Sequence, residues 1–256
     1  SVHIYEVLLD QHILYMDDFS RMRIRFSHRL AYAYIKCGQY DLAWKVEKPM
    51  IKEMKNKKRL DARFIADLQY YFLSLRFVDK NRASYELSFF LSELMEEQGE
   101  CGYLYAWGFS MAAHYHCFLQ DYESAVSCCR KALAIFESDS DTLPSVLGQH
   151  YMLMGKPCDL TGGFNGAIRY YGKAAALYRT LYGKVSSIYC SSLSALARSY
   201  QKYGAASLSV YVFEMLSSLY GKLYAPYNTI QVANTQSLGD AYIAAGDYKQ
   251  AMQTYL

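Results

Sequence analysis

The sequence predicts an all-α protein, a right-handed α-solenoid in which stacked helix–turn–helix repeats coil into a superhelix. Three observations predict it. First, a turn signal recurs at a nearly constant step: going back from Gly246, steps of 42 residues reach Gly204, Gly162, Gln120 and Val78, and a step of 40 reaches Gly38. Second, the position five residues after each of these is small in every copy: Ala43, Ala83, Ala125, Ala167, Ser209 and Ala251. Third, the segments on either side of the turn, as in AYAYIKCGQYDLAWKV and SALARSYQKYGAASLSVYVF, carry apolar residues every three or four positions, the spacing of an amphipathic helix.

The elements of one unit follow from these columns. A helix commonly ends on a residue at positive φ, which glycine adopts without steric cost, so Gly38, Gly162, Gly204 and Gly246 mark the end of each first helix. The small residue at +5 lies where the second helix must approach the first, because a larger side chain would hold the two axes apart. The position at +2 (Tyr40, Lys80, Tyr122, Phe164, Ala206 and Tyr248) is aromatic in four copies and caps the pair. Tyrosine, at 27 residues, suits packing between helices, where the ring is buried and the hydroxyl stays wet.

These features divide the chain, as an expectation, into one repeat array over residues 1–256. Its repeats cover about 24–60, 64–103, 106–143, 148–183, 190–224 and 232–256, the last cut inside its second helix. Residues 1–20 read as the second helix of an earlier repeat. The second copy keeps little beyond Ala83. In the fourth, Pro157 removes a helical hydrogen bond, so a kink or a broken helix is expected near MGKPCDLTGG.

The last copy, with Leu238, Gly239, Tyr242, Gly246, Tyr248, Ala251 and Tyr255, resembles the tetratricopeptide repeat (TPR) family. So do Leu30, Ala31, Tyr34, Gly38, Tyr40 and Ala43 in the first copy, Leu196, Ala197, Tyr200, Gly204 and Phe213 in the fifth, and Ala113, Tyr122, Ala125 and Ala132 in the third. The 42-residue step and the phrases LYGKVSS and LYGKLYAPYNT look like the longer units of kinesin light chains and of the C-terminal lobe of SET- and MYND-domain methyltransferases.

The resemblance implies a concave wall lined by the first helix of each pair. Carried over position by position, it gives as partner-binding candidates Arg25, His28, Tyr32 and Lys36 in the first copy, and Phe72 and Arg76 in the second. Trp107 and His114 follow in the third, Lys156 in the fourth, Arg198 and Gln201 in the fifth, and Gln236 and Asp240 in the sixth. Family members that clamp a partner's C-terminal carboxylate use an asparagine at the position held here by Tyr32, Phe72, His114, Lys156, Arg198 and Asp240. None of the six is asparagine, which disfavours that clamp.

Chemistry of the chain's own is not expected. HYHCF at 114–118 places His114 and His116 on opposite helix faces, so they cannot share one ion, and TGGFNG lacks the Lys-Ser/Thr of a phosphate loop. Neither a Gly-x-Ser-x-Gly elbow nor a His-Glu-x-x-His pair occurs. No catalytic residue, cofactor or metal is therefore assigned. The balance of 27 basic against 24 acidic residues does not argue for nucleic acid, and KEMKNKKR at 52–59 reads as a solvated helix end. Seven cysteines without a Cys-x-x-Cys pair point to free thiols and a cytoplasmic setting, and no run of about 18 apolar residues suggests a membrane span.

The expected function is a non-catalytic scaffold or adaptor that takes a protein or peptide, acidic or aromatic in character, along the concave wall. The alternatives are a peptide-sensing domain of a bacterial regulator, or a helical lobe appended to an enzyme such as a SET/MYND methyltransferase.

Overall fold

The computed structural model describes residues 20–56, 71–72, 75–98, 102–225 and 228–256. Among them every regular element is a helix and no strand occurs. The chain divides into two compact units, Ser1–Leu119 and Gln120–Leu256. In the first, α1 (Ser20–Lys36) pairs with α2 (Tyr40–Asn56), and helical residues 75–78 lead into α3 (Lys80–Gln98), which packs on α4 (Tyr103–Phe118). The second contains α5 (Tyr122–Ser138), α6 (Pro144–Leu160), α7 (Phe164–Tyr182), α8 (Ser187–Tyr203), α9 (Ala206–Leu223), α10 (Thr229–Ala244) and α11 (Tyr248–Tyr255), each packed on the next.

The turns follow the expected chemistry. Gly38, Gly162, Gly204 and Gly246 take φ of +74°, +79°, +88° and +80°. Each brings the next amide back to a carbonyl of the last helical turn: Gln39 N–H to Tyr34 O, Gly163 N–H to Cys158 O, Ala205 N–H to Tyr200 O and Asp247 N–H to Tyr242 O, at 2.8–2.9 Å. This is the six-to-one bond of a left-handed helix end. Gln120 holds the same place at φ +60° without glycine's freedom. Two of the turns add a cap: the Asp121 and Asp247 carboxylates accept from Ser124 N and Gln250 N, satisfying amides that lack a helical partner.

The small column does what its spacing requires. Ala43, Ala83, Ala125, Ala167 and Ser209 are fully buried, and Ala251 nearly so. Ser209 is accommodated because its hydroxyl donates to Ala197 O at 2.9 Å, so burial leaves no polar group bare. Opposite this column the first helices are small as well. A β-carbon on Gly155 would come within 2.5 Å of the Tyr171 ring, and one on Gly239 within 2.4 Å of the Tyr255 ring.

Two expectations are corrected. The fourth copy has no broken helix: α6 runs from Pro144 to Leu160 through Pro157. Pro157 has no N–H to return to the preceding turn, yet it is accommodated within the last turn, where its fully buried ring packs in the core. The Thr161 hydroxyl donates to the carbonyls of Pro157 and Cys158 and closes that end. In the second copy, Val78 is helical and lacks a positive φ; Asp79 alone separates residues 75–78 from α3. Buried Tyr71, Phe72 and Leu75 match buried Leu30, Ala31 and Tyr34 of the first copy only if the register slips by one residue, which the shorter connection imposes.

Candidate partner-binding face

In the first unit, Arg25 and His28 lie on α1 with side chains outside the described residues. Tyr32 is exposed and the Lys36 ammonium sits over its ring at 5.3 Å, a cation–π pair one turn apart. Phe72 is not on a surface. It is 2% exposed and meets Tyr71 and Tyr115 edge-on, because the register slip puts it in the slot that Ala31 holds in the first copy. Arg76 lies over Phe77 at 5.1 Å, and Phe77 stacks on Tyr40 at 3.7 Å. Trp107 and His114 are half-buried, and Trp107 meets Tyr103 edge-on. The side chains of KEMKNKKR lie outside the described residues.

In the second unit the candidates lie on α6, α8 and α10. Lys156, Arg198, Gln236 and Asp240 are exposed and Gln201 half-buried. Arg198 donates from Nη2 to Ser194 Oγ at 2.7 Å and from Nε to Ser194 O at 3.4 Å, which orients the guanidinium from its own helix. Beside it, Lys202 donates to Asp159 Oδ2 at 2.5 Å and the Ser199 hydroxyl to Asp159 Oδ1 at 3.2 Å, tying α8 to α6. Asp240 accepts the Tyr255 hydroxyl at 2.6 Å, so part of its carboxylate is spent within its own copy.

Lys202 is a residue the sequence reading passed over. The signal was available, since it stands four residues after Arg198 on one helix face and 43 after Asp159, one repeat away. A second group also went unseen. The Tyr151 hydroxyl and Lys173 both donate to Glu137, at 2.6 and 3.2 Å, and the Lys173 ammonium lies 4.7 Å over the Tyr151 ring. Together the Tyr151 bond and the Lys173 cation hold the Glu137 carboxyl below the usual carboxylate range. A similar bond, Tyr242 to Glu214, pushes the Tyr242 hydroxyl up to about 12.

Cys37 is an exposed free thiol, and Cys158 and Cys190 are buried free thiols. Among the described residues no three metal-ligating side chains come together, and no helix is long and apolar enough to cross a membrane.

The fold is a succession of helical hairpins, each with a short turn and a small-residue crossing, and it is similar to solved structures built of TPR-like repeats. Solved structures agree. BtubC (BKLC) from P. vanneervenii matches with a TM-score of 0.69 at 16% identity, over 82% of this chain and 86% of that one. A Podospora anserina putative kinesin light chain with nearly identical TPR-like repeats matches with a TM-score of 0.55 at 17% identity, over 94% of both chains. No protein-family model matches the chain, and no curated protein matches it in sequence.

Proposed function

We propose that the chain is a non-catalytic protein-interaction scaffold, and that the face of α6, α8 and α10 takes an acidic peptide segment of a protein partner. The observation that carries this reading is Arg198. Its guanidinium has five N–H donors, its bonds to Ser194 fix its direction, and it stands exposed on a helix that Lys202 ties to the neighbouring first helix. Lys156, exposed on α6, supplies a second cation, and Gln201 and Gln236 offer neutral hydrogen bonds. A planar fork held in place suits a carboxylate, and Lys202 cannot compete for the ligand while it neutralises Asp159.

The test is a peptide array spanning acidic, basic and aromatic sequences, followed by titration of the strongest binder. Arg198→Glu is expected to weaken an acidic peptide by about tenfold or more, and Lys156→Glu by less. Rising salt is expected to weaken the wild-type complex. An acidic peptide that binds both variants as it binds the wild type rules this face out.

A further inference from the structure

Lys156, Arg198 and Asp240 are equivalent residues of three successive copies, each 42 positions after the last. All three are exposed. Lys156 and Arg198 are exposed with a further first helix stacked beyond each, so this column opens to solvent within the array and does not seal one copy against the next. It forms a short ladder of charge, positive on α6 and α8 and negative on α10.

The rungs are evenly placed. α7 packs on both α6 and α8, and α9 on both α8 and α10, so one step of the array separates each rung from the next. The bonds of Lys202 and Ser199 to Asp159 hold α6 and α8 in side-chain contact. Neighbouring helices in contact lie about 10 Å apart, a distance that an extended chain covers in about three residues. Two of the rungs are also held in place. Ser194 orients the Arg198 guanidinium, and Asp240 Oδ1 accepts the Tyr255 hydroxyl, which leaves Oδ2 for a cation. Around the rungs, Gln149 and Gln236 are exposed and Gln201 half-buried, each with an amide donor and acceptor. An extended segment needs such groups because its backbone N–H and C=O are unpaired, whereas a helix pairs its own.

We propose that this face reads a charge order: an extended segment of a partner protein in which two acidic residues and one basic residue follow at every third position, acid over Lys156, acid over Arg198 and base over Asp240. The inference rests on the acidic-segment reading of the face and narrows it. A third acid in place of the base meets the Asp240 carboxylate and is repelled, so a uniformly acidic segment is a poorer ligand than a mixed one despite its greater charge. The base also fixes the register. Sliding the segment by one rung in either direction sets acid on Asp240 or base on Arg198, a like-charge pair in each case.

The probes are four labelled peptides titrated with the chain by anisotropy at low salt: ESSESSK, its reverse KSSESSE, the equal-composition ESSKSSE and the uniformly acidic ESSESSE. Whichever of the first two matches the backbone direction is expected to bind about threefold or more tighter than either ESSKSSE or ESSESSE. Asp240→Lys, at an exposed position, is expected to reverse the last preference, so that ESSESSE becomes the tightest of the four. Equal binding of the three equal-composition peptides by the wild type overturns the charge order, and so does an unchanged preference in Asp240→Lys. If Arg198→Glu still weakens ESSESSE in that case, the acidic-segment reading stands without the order; if Arg198→Glu leaves all four peptides unchanged, both fall. No saturation by any of the four up to about 1 mM also overturns the charge order, while the longer sequences of the peptide array still judge the acidic-segment reading.

Discussion

The Tyr171 ring lies against Gly155 so closely that a single added methyl group would come within 2.5 Å of it. Helices α6 and α7 cross at that point, and Tyr171 is only 6% exposed, so its ring has nowhere to retreat. Gly155→Ala should therefore destabilise the chain by about 1–3 kcal/mol despite alanine's better helix propensity. A thermal melt would show this as a loss of roughly 2–4 °C per kcal/mol. Gly239→Ala meets the Tyr255 ring, which is 48% exposed and can swing out, and should cost clearly less. Equal losses would show that crossing distance does not govern these sites.

Gln120 and Gly204 hold equivalent turns, at φ +60° and +88°. A β-carbon on Gly204 meets nothing within 4 Å, so Gly204→Ala tests backbone strain alone and should cost about 1 kcal/mol. Gln120→Gly releases the same strain, and its melting temperature should rise. A lower melting temperature for Gln120→Gly would mean that the glutamine side chain contributes more than the strain costs.

His150 is 4% exposed, its Nδ1–H donates to Val146 O at 2.8 Å, and its ring lies 4.3 Å from Phe136. Burial holds it below its ordinary range, so the folded chain keeps it neutral. The unfolded chain binds a proton near pH ~6.5, and the folded chain only at lower pH. Its contribution is complete above that value and is lost as pH falls below it. Melts at about pH 7.5 and 5.5 should show a drop in stability that His150→Leu reduces; an unchanged drop would place the sensitivity elsewhere.

Ser209 is the one position in the +5 column that is not alanine. Ser209→Ala removes a hydroxyl whose acceptor is a helix carbonyl, and should shift stability by no more than about 1 kcal/mol. Ser209→Leu at this fully buried crossing should cost more than about 3 kcal/mol and expose apolar surface to a hydrophobic dye. Similar melts for the two variants would show that the crossing tolerates volume.

The legible parts of the fold were those that depend on one residue's backbone or size. Gly38, Gly162, Gly204 and Gly246 announce a left-handed turn because other residues take it at a cost, and Ala43 or Ala167 announces a close crossing because nothing larger fits. Phe72 was misplaced because a connection shortened to Asp79 moves the register by one residue without leaving a marker in composition. The break expected at Pro157 does not occur: α6 continues through it, and the Thr161 hydroxyl closes the helix end at the Pro157 and Cys158 carbonyls. Lys202 escaped because its partner, Asp159, stands 43 residues away and only the stacking of first helices brings them together. Arg198, Lys156 and Gln236 could be placed on exposed positions from spacing alone.

Pro157 also bears on how fast the molecule can form. Every peptide bond described is trans, including those before Pro144 and Pro157, which begin and nearly end the same helix. In the unfolded chain about 10–30% of each X–Pro bond is cis, so a sizeable minority of molecules starts with an isomer that α6 cannot accommodate. Because α5 and α7 both pack on α6, those molecules must wait tens of seconds for rotation before that region closes, giving refolding a slow phase that a prolyl isomerase shortens.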